Sequence, residues 1–179
     1  MKVPAVKTKN MALSALFLAI GMVLPFLTMQ IKEVGDSLLP MHLPVMLCGL
    51  VCGGWYGFAV GGTLPFLRGV CFGMPPLFPN AVWMAAELAA YGAVTGFLYK
   101  RFFKKQLWWL YGSLIAAMIS GRIVWGIVKW ALLTARGGTF TLQAFLVGGF
   151  ADALPGIVLQ LVLVPTIVKL LDKRKESAR

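Results

Sequence analysis

Residues 38–73 read LLPMHLPVMLCGLVCGGWYGFAVGGTLPFLRGVCFG, a stretch whose one charged residue is Arg68. As a single α-helix it would run roughly 54 Å, far beyond the roughly 30 Å of a bilayer's hydrocarbon, so the chain must fold back within it. Gly53 and Gly54 mark the turn, because glycine alone tolerates the backbone conformations a reversal needs. Their placement predicts a short helix over about 38–52 and another over about 55–72. Met74-Pro75-Pro76-Leu77-Phe78-Pro79 then forbids continued helix, and a further span is expected over about 79–99. Working outward, apolar runs at about 10–29, 107–133 and 142–171 complete an expectation of one all-α domain over 1–179, an integral membrane bundle of six transmembrane helices.

Composition agrees. Of the 179 residues 59% are hydrophobic and 13% charged, with a mean hydropathy of +0.82, which excludes an ordinary soluble domain. The net charge of +11 invites a polyanion partner, but its placement argues otherwise. Lys2, Lys7 and Lys9, then Lys100, Arg101, Lys104 and Lys105, then Lys169, Lys173, Arg174, Lys175 and Arg179 form three clusters. Six crossings put all three on one face, as cytoplasmic loops require, with Lys32 and Arg136 in the opposite loops. Both termini are therefore expected in the cytoplasm, with the bilayer as solvent and no nucleic acid as partner. The first apolar run lacks a small-residue cleavage site and is read as a retained helix, not a signal peptide.

Several chemistries are absent. No phosphate loop of the Gly-x-x-x-x-Gly-Lys-Ser/Thr type occurs, nor His-Glu-x-x-His, Gly-x-Ser-x-Gly or Cys-x-x-Cys, and one histidine excludes a multi-histidine metal site. No cofactor is expected. Cys48, Cys52 and Cys71 lie in apolar runs and read as small hydrophobes packed between helices. Small residues recur every four positions, as Ala15 and Ala19; Gly53, Gly57 and Gly61; Ala81, Ala85, Ala89 and Ala93; and Gly112, Ala116 and Ser120. Such ladders let membrane helices approach closely; the Ala15–Ala19 face is also a candidate surface for docking another membrane protein.

Five charges fall inside predicted spans: Arg68, Glu87, Arg122, Lys129 and Asp152. An ionised side chain there must be paired or face a wet cavity. Counted from the predicted span ends, Glu87 lies about 12 Å below the outer end of its helix. Arg122 is near the midplane, and Lys129 is seven residues outward on the same face with Trp125 between them. Arg68 and Asp152 belong to the outer half. The set describes a polar pocket open to the outside. Asn80 and Trp83 share the Glu87 face, and His42 stands where the first outer loop enters the second helix. Two readings stay open. The charges form buried pairs that fix packing, Glu87 with Arg122 or Arg68 and Asp152 with Lys129. Alternatively, the surplus cation receives an anionic group of a small organic ligand between aromatic walls. The tryptophans Trp108 and Trp109, beside a basic loop, read as interface anchors.

The chain resembles the substrate-binding, or S, components of energy-coupling factor (ECF) transporters, prokaryotic vitamin importers of the ABC superfamily. The resemblance rests on six helices in a short chain, the Ala15-x-x-x-Ala19 face, Leu39-Pro40-Met41-His42-Leu43-Pro44-Val45, the glycine run from Gly53 to Gly62, and Phe72-Gly73-Met74-Pro75-Pro76. It implies a non-catalytic receptor in the prokaryotic plasma membrane that captures a vitamin or related small molecule in an outer pocket, covered by the loops after the first and third helices. It further implies a transmembrane coupling subunit and two cytoplasmic ATPases as partners, with Ala15 and Ala19 on the docking surface. His42, Arg68, Asn80, Trp83, Glu87, Arg122, Trp125, Lys129 and Asp152 are the candidate substrate-binding residues, assigned by depth. The surplus positive charge leans toward a carboxylate-bearing vitamin such as pantothenate, while a paired network around a neutral ligand would look the same. The alternative is a self-sufficient proton-coupled secondary transporter or channel using Glu87 or Asp152, against which no inverted repeat is evident. An intramembrane enzyme lacks a recognisable nucleophile and base.

Overall fold

The computed structural model describes residues 5–28, 38–102 and 107–177, and no strand occurs among them. The loop after the first helix, expected to cover the pocket, lies outside the described residues, as do Lys2, Lys32, Lys104, Lys105 and Arg179 of the charge argument. Helix α1 (Ala5–Val23) tightens into a 3-10 turn over Leu24–Thr28. It is followed by α2 (His42–Cys52), α3 (Gly54–Phe72), α4 (Asn80–Phe102) and α5 (Leu107–Ala135). A short α6 (Leu142–Leu146), a π-helical turn (Val147–Ala151) and α7 (Leu154–Ser177) end the chain's helices. Four segments are long and apolar enough to cross a membrane, namely Lys7–Phe26, Asn80–Arg101, Trp108–Ala135 and Leu142–Leu171, and α2 is a shorter apolar helix.

The reversal falls at Gly53, whose φ of 109° and ψ of 164° suit glycine and few other residues. Its N–H donates to the Gly49 carbonyl, closing α2. At the far end of α3, Gly73 takes a left-handed φ of 72° and its N–H donates to the Gly69 carbonyl. The proline-rich turn over residues 74–79 then delivers α4.

Helix α4 is the hub, packing against α2, α3 and α5. Its seams with α2 and α3 are backbone against backbone. A Cβ on Gly57 would lie 2.6 Å from the Gly92 carbonyl oxygen, and one on Gly92 would strike Gly57 itself. Gly49 meets Gly92 in the same way, Gly61 meets the Leu88 carbonyl, and Gly96 meets Gly54. The glycine ladder of α3 is thus a packing surface, but its complement on α4 is Leu88, Gly92 and Gly96, not the alanines alone. Ala85 and Ala89 also border a shallow apolar groove of about 510 Å³ with Phe58 and Val124. The expected ladder on α5 is not a seam. Gly112 is exposed with nothing within 4 Å of a Cβ placed there, because the buried face of α5 runs through Leu114, Ala117, Met118, Gly121 and Arg122. Cys48 and Cys52 are buried as expected, whereas Cys71 is exposed.

Helix α2 is buried on nearly every side. Met46, Leu47 and Leu50 join Tyr91, Leu114 and Val164 in one core cluster, while Val45 and Cys48 join Val60, Leu64 and Leu88 in another. Outward, Leu16, Phe66, Val70, Ile119, Ile127 and Val162 are exposed. In water such a surface would aggregate; hydrocarbon is the solvent that suits it. The last predicted helix, expected to be continuous over 142–171, is split. Gly148 and Gly149 widen it into the π turn, and α7 restarts with Pro155 at its second position, where a missing N–H costs nothing.

Candidate functional site

The first residue of α2, His42, the middle of α4 and the middle of α5 converge on one oxygen. Arg122 Nη1 stands 2.8 Å from Glu87 Oε1, and His42 Nε2 stands 3.3 Å from the same atom. All three side chains are buried, at 2–3% exposure. These are ion-pair contacts without the direction of full hydrogen bonds. Tyr91, one turn along α4 from Glu87 and wholly buried, sets its ring edge-on to His42 at 4.9 Å. Gly121 makes room for that ring, since a Cβ there would strike it. The buried Tyr91 hydroxyl lies within electrostatic reach of Glu87 and Arg122. The choice left open by depth is therefore resolved: Glu87 pairs with Arg122, not with Arg68.

Arg68 is buried apart from this cluster. Its Nη1 donates to the Met22 carbonyl at 3.0 Å, in the last turn of α1. There the guanidinium satisfies an orphan acceptor and complements the helix dipole. The Phe26 and Phe72 rings flank it at 5.3 and 5.8 Å.

One turn beyond Arg122, Trp125 begins an aromatic enclosure. The Lys129 ammonium lies 4.4 Å from the Trp125 ring centre, 5.2 Å from Phe140 and 5.4 Å from Trp83. Asp152, its expected partner, is exposed at the bend between the π turn and α7. Asn80 is half-buried at the first position of α4. Phe140 and Phe145 pack on Trp125 at 5.8 and 6.1 Å, and beside them an apolar groove of about 330 Å³ opens between Ile127, Trp130 and Leu142. Tyr91, Phe140 and Gln160 were not singled out in the sequence. Gln160, 1% exposed, has both amide atoms without a hydrogen-bond partner among the described residues. Its only signal was a polar side chain on the buried stripe that continues through Val164 and Val168. Ala15 and Ala19 are exposed, whereas Ser14, between them and α2, is buried and donates to the Asn10 carbonyl.

Long apolar helices around a buried acid, arginine and histidine, with no metal-ligating group of three among the described residues, define a multi-pass helical membrane protein with an internal polar centre. A family model described as the substrate-specific component of ECF transporters matches residues 9–168, and the chain belongs to that family. The resemblance drawn from the sequence is borne out. No curated protein and no solved structure matches the chain. Membership implies a transport component that binds a small molecule and associates with ECF module subunits, not an enzyme.

Proposed function

We propose that this chain is the high-affinity substrate-binding subunit of an ECF-type importer in a prokaryotic plasma membrane. As one domain of six crossings with both termini cytoplasmic, it captures a vitamin or related small molecule at the outer face. It then delivers the molecule with a transmembrane coupling subunit and two cytoplasmic ATPases. The observation that carries this reading is the Glu87–Arg122–His42 centre within a chain of this family: an ion pair kept in hydrocarbon marks a functional site by default. Trp83, Trp125 and Lys129 extend the binding surface outward from it. Asn80 and Asp152 belong to its rim, while Arg68, buried against the end of α1, supports the fold beside it. Ala15 and Ala19 form the docking face, and their exposure on a helix whose other exposed side chains include Leu16 and Ile20 supports that role.

Mass spectrometry of small molecules co-purifying with the detergent-solubilised protein tests the capture step, and an empty extract would sink it. Ala15→Leu with Ala19→Leu should lower association with the coupling subunit at least about tenfold, roughly 1.4 kcal/mol, while the co-purifying molecule is retained. Its loss in that variant would overturn the docking assignment.

A further inference from the structure

Arg122 uses its guanidinium unevenly. Nη1 faces Glu87, whereas Nε and Nη2 are buried and have no hydrogen-bond partner among the described residues. Nε and Nη2 share one edge of the group, and that edge presents two parallel N–H bonds at the spacing of a carboxylate's oxygens. Buried donors are almost always used, so a charged fork without a partner among the described residues marks a place where another molecule belongs.

What covers this side of α5 is thin. Gly148 and Gly149 of the π turn lay their backbone against Trp125, where added Cβ atoms would stand 3.5 and 3.6 Å from the ring, and the one on Gly149 would also stand 4.0 Å from Arg122 Cδ. α6 buries none of its residues, and the π turn buries Gly149 alone. Trp125 itself lies against the guanidinium, its ring centre 6.0 Å from Arg122 Cζ.

We propose that the transported molecule carries a carboxylate that docks on the Nε–Nη2 edge of Arg122, with its carbon skeleton against Trp125 beneath the Gly148–Gly149 strap. This rests on the reading of the chain as a small-molecule receptor. The Lys129 ammonium, 4.4 Å from the Trp125 ring centre on the same helix face, adds positive potential on this side of α5. Glu87 acts as a positioning residue: by holding Nη1 it turns the free edge away from itself.

The test uses the full chain in detergent and matched probes, benzoate against benzamide and nicotinate against nicotinamide, followed by tryptophan fluorescence. The acids should bind at least about tenfold more tightly than the amides, and Arg122→Lys should erase that preference. Gly149→Ala, whose new methyl meets only ordinary contacts, should weaken the acids about tenfold with an unchanged unfolding temperature. Equal binding of acids and amides, no acid binding up to about 10 mM, or a preference that survives in Arg122→Lys would overturn the proposal. If Arg122→Lys does not fold, unchanged acid affinity in Gly149→Ala overturns it instead. A co-purifying molecule that lacks a carboxylate would refute this inference and leave the receptor reading standing, whereas an empty extract with silent probes would remove both.

Discussion

The seam joining α4 to α2 and α3 and the strap joining α5 to α7 both contain glycines, yet they are built oppositely. At Gly49, Gly57, Gly92 and Gly96 the glycines lie where two backbones touch, and no side chain of any size fits between them. At Gly148 and Gly149 they lie against an aromatic ring with room for a methyl, on a segment that buries almost nothing else. Local stability follows the density of buried contact, so the first arrangement fixes two of the three members of the polar centre, His42 and Glu87, on a rigid base. The second covers the third member, Arg122, with a light closure. Glycine content alone does not distinguish a weld from a hinge; what the missing Cβ would have touched does.

The contrast can be broken from its strong side. Gly92→Leu drives a side chain into the Gly57 backbone and should cost more than about 3 kcal/mol, read as loss of the monodisperse folded protein on size exclusion. Gly148→Leu gives a smaller loss if the contrast is correct; equal losses would erase the distinction. Next in size, Glu87→Ala leaves Arg122 buried and uncompensated and should cost about 3–5 kcal/mol, with a lower midpoint in thermal unfolding. A drop smaller than that of a surface variant would show that the pair does not hold α4 to α5. The smallest effect belongs to Gly112→Ala, on the outer face of α5 with open space around it. Helix propensity predicts a gain of about 0.5–1 kcal/mol there, and destabilisation would restore the ladder that the sequence suggested on that face.

Much of the fold was legible because it is written in residues with narrow backbone options. Gly53-Gly54 and the proline run from Pro75 to Pro79 delimit α2, α3 and α4 without reference to anything distant. The Glu87–Arg122 contact was half legible: depth along a helix placed both near one level but could not choose between two arginines, since rotation about α3 relative to α4 is set by the glycine seam. His42 entered the centre from a different helix, and a periodicity argument reports only on its own helix. Gln160 was invisible because an uncharged amide barely dents the hydropathy of its run. The split of the last helix had its signals in Gly148, Gly149 and Pro155, but glycine in a membrane helix more often marks a seam, and length argued for continuity.

The Arg68 clasp has a mechanical side. Its guanidinium is bonded to the last turn of α1, rooted in α3 and flanked by one phenyl ring from each of the two segments. To slide α1 past α3 at this end, the chain must release a backbone carbonyl and strip a cation of its rings in a medium that offers neither a substitute. The two ends are consequently a single strut. Moving the end of α1 therefore means moving the end of α3 with it or breaking the Arg68–Met22 bond.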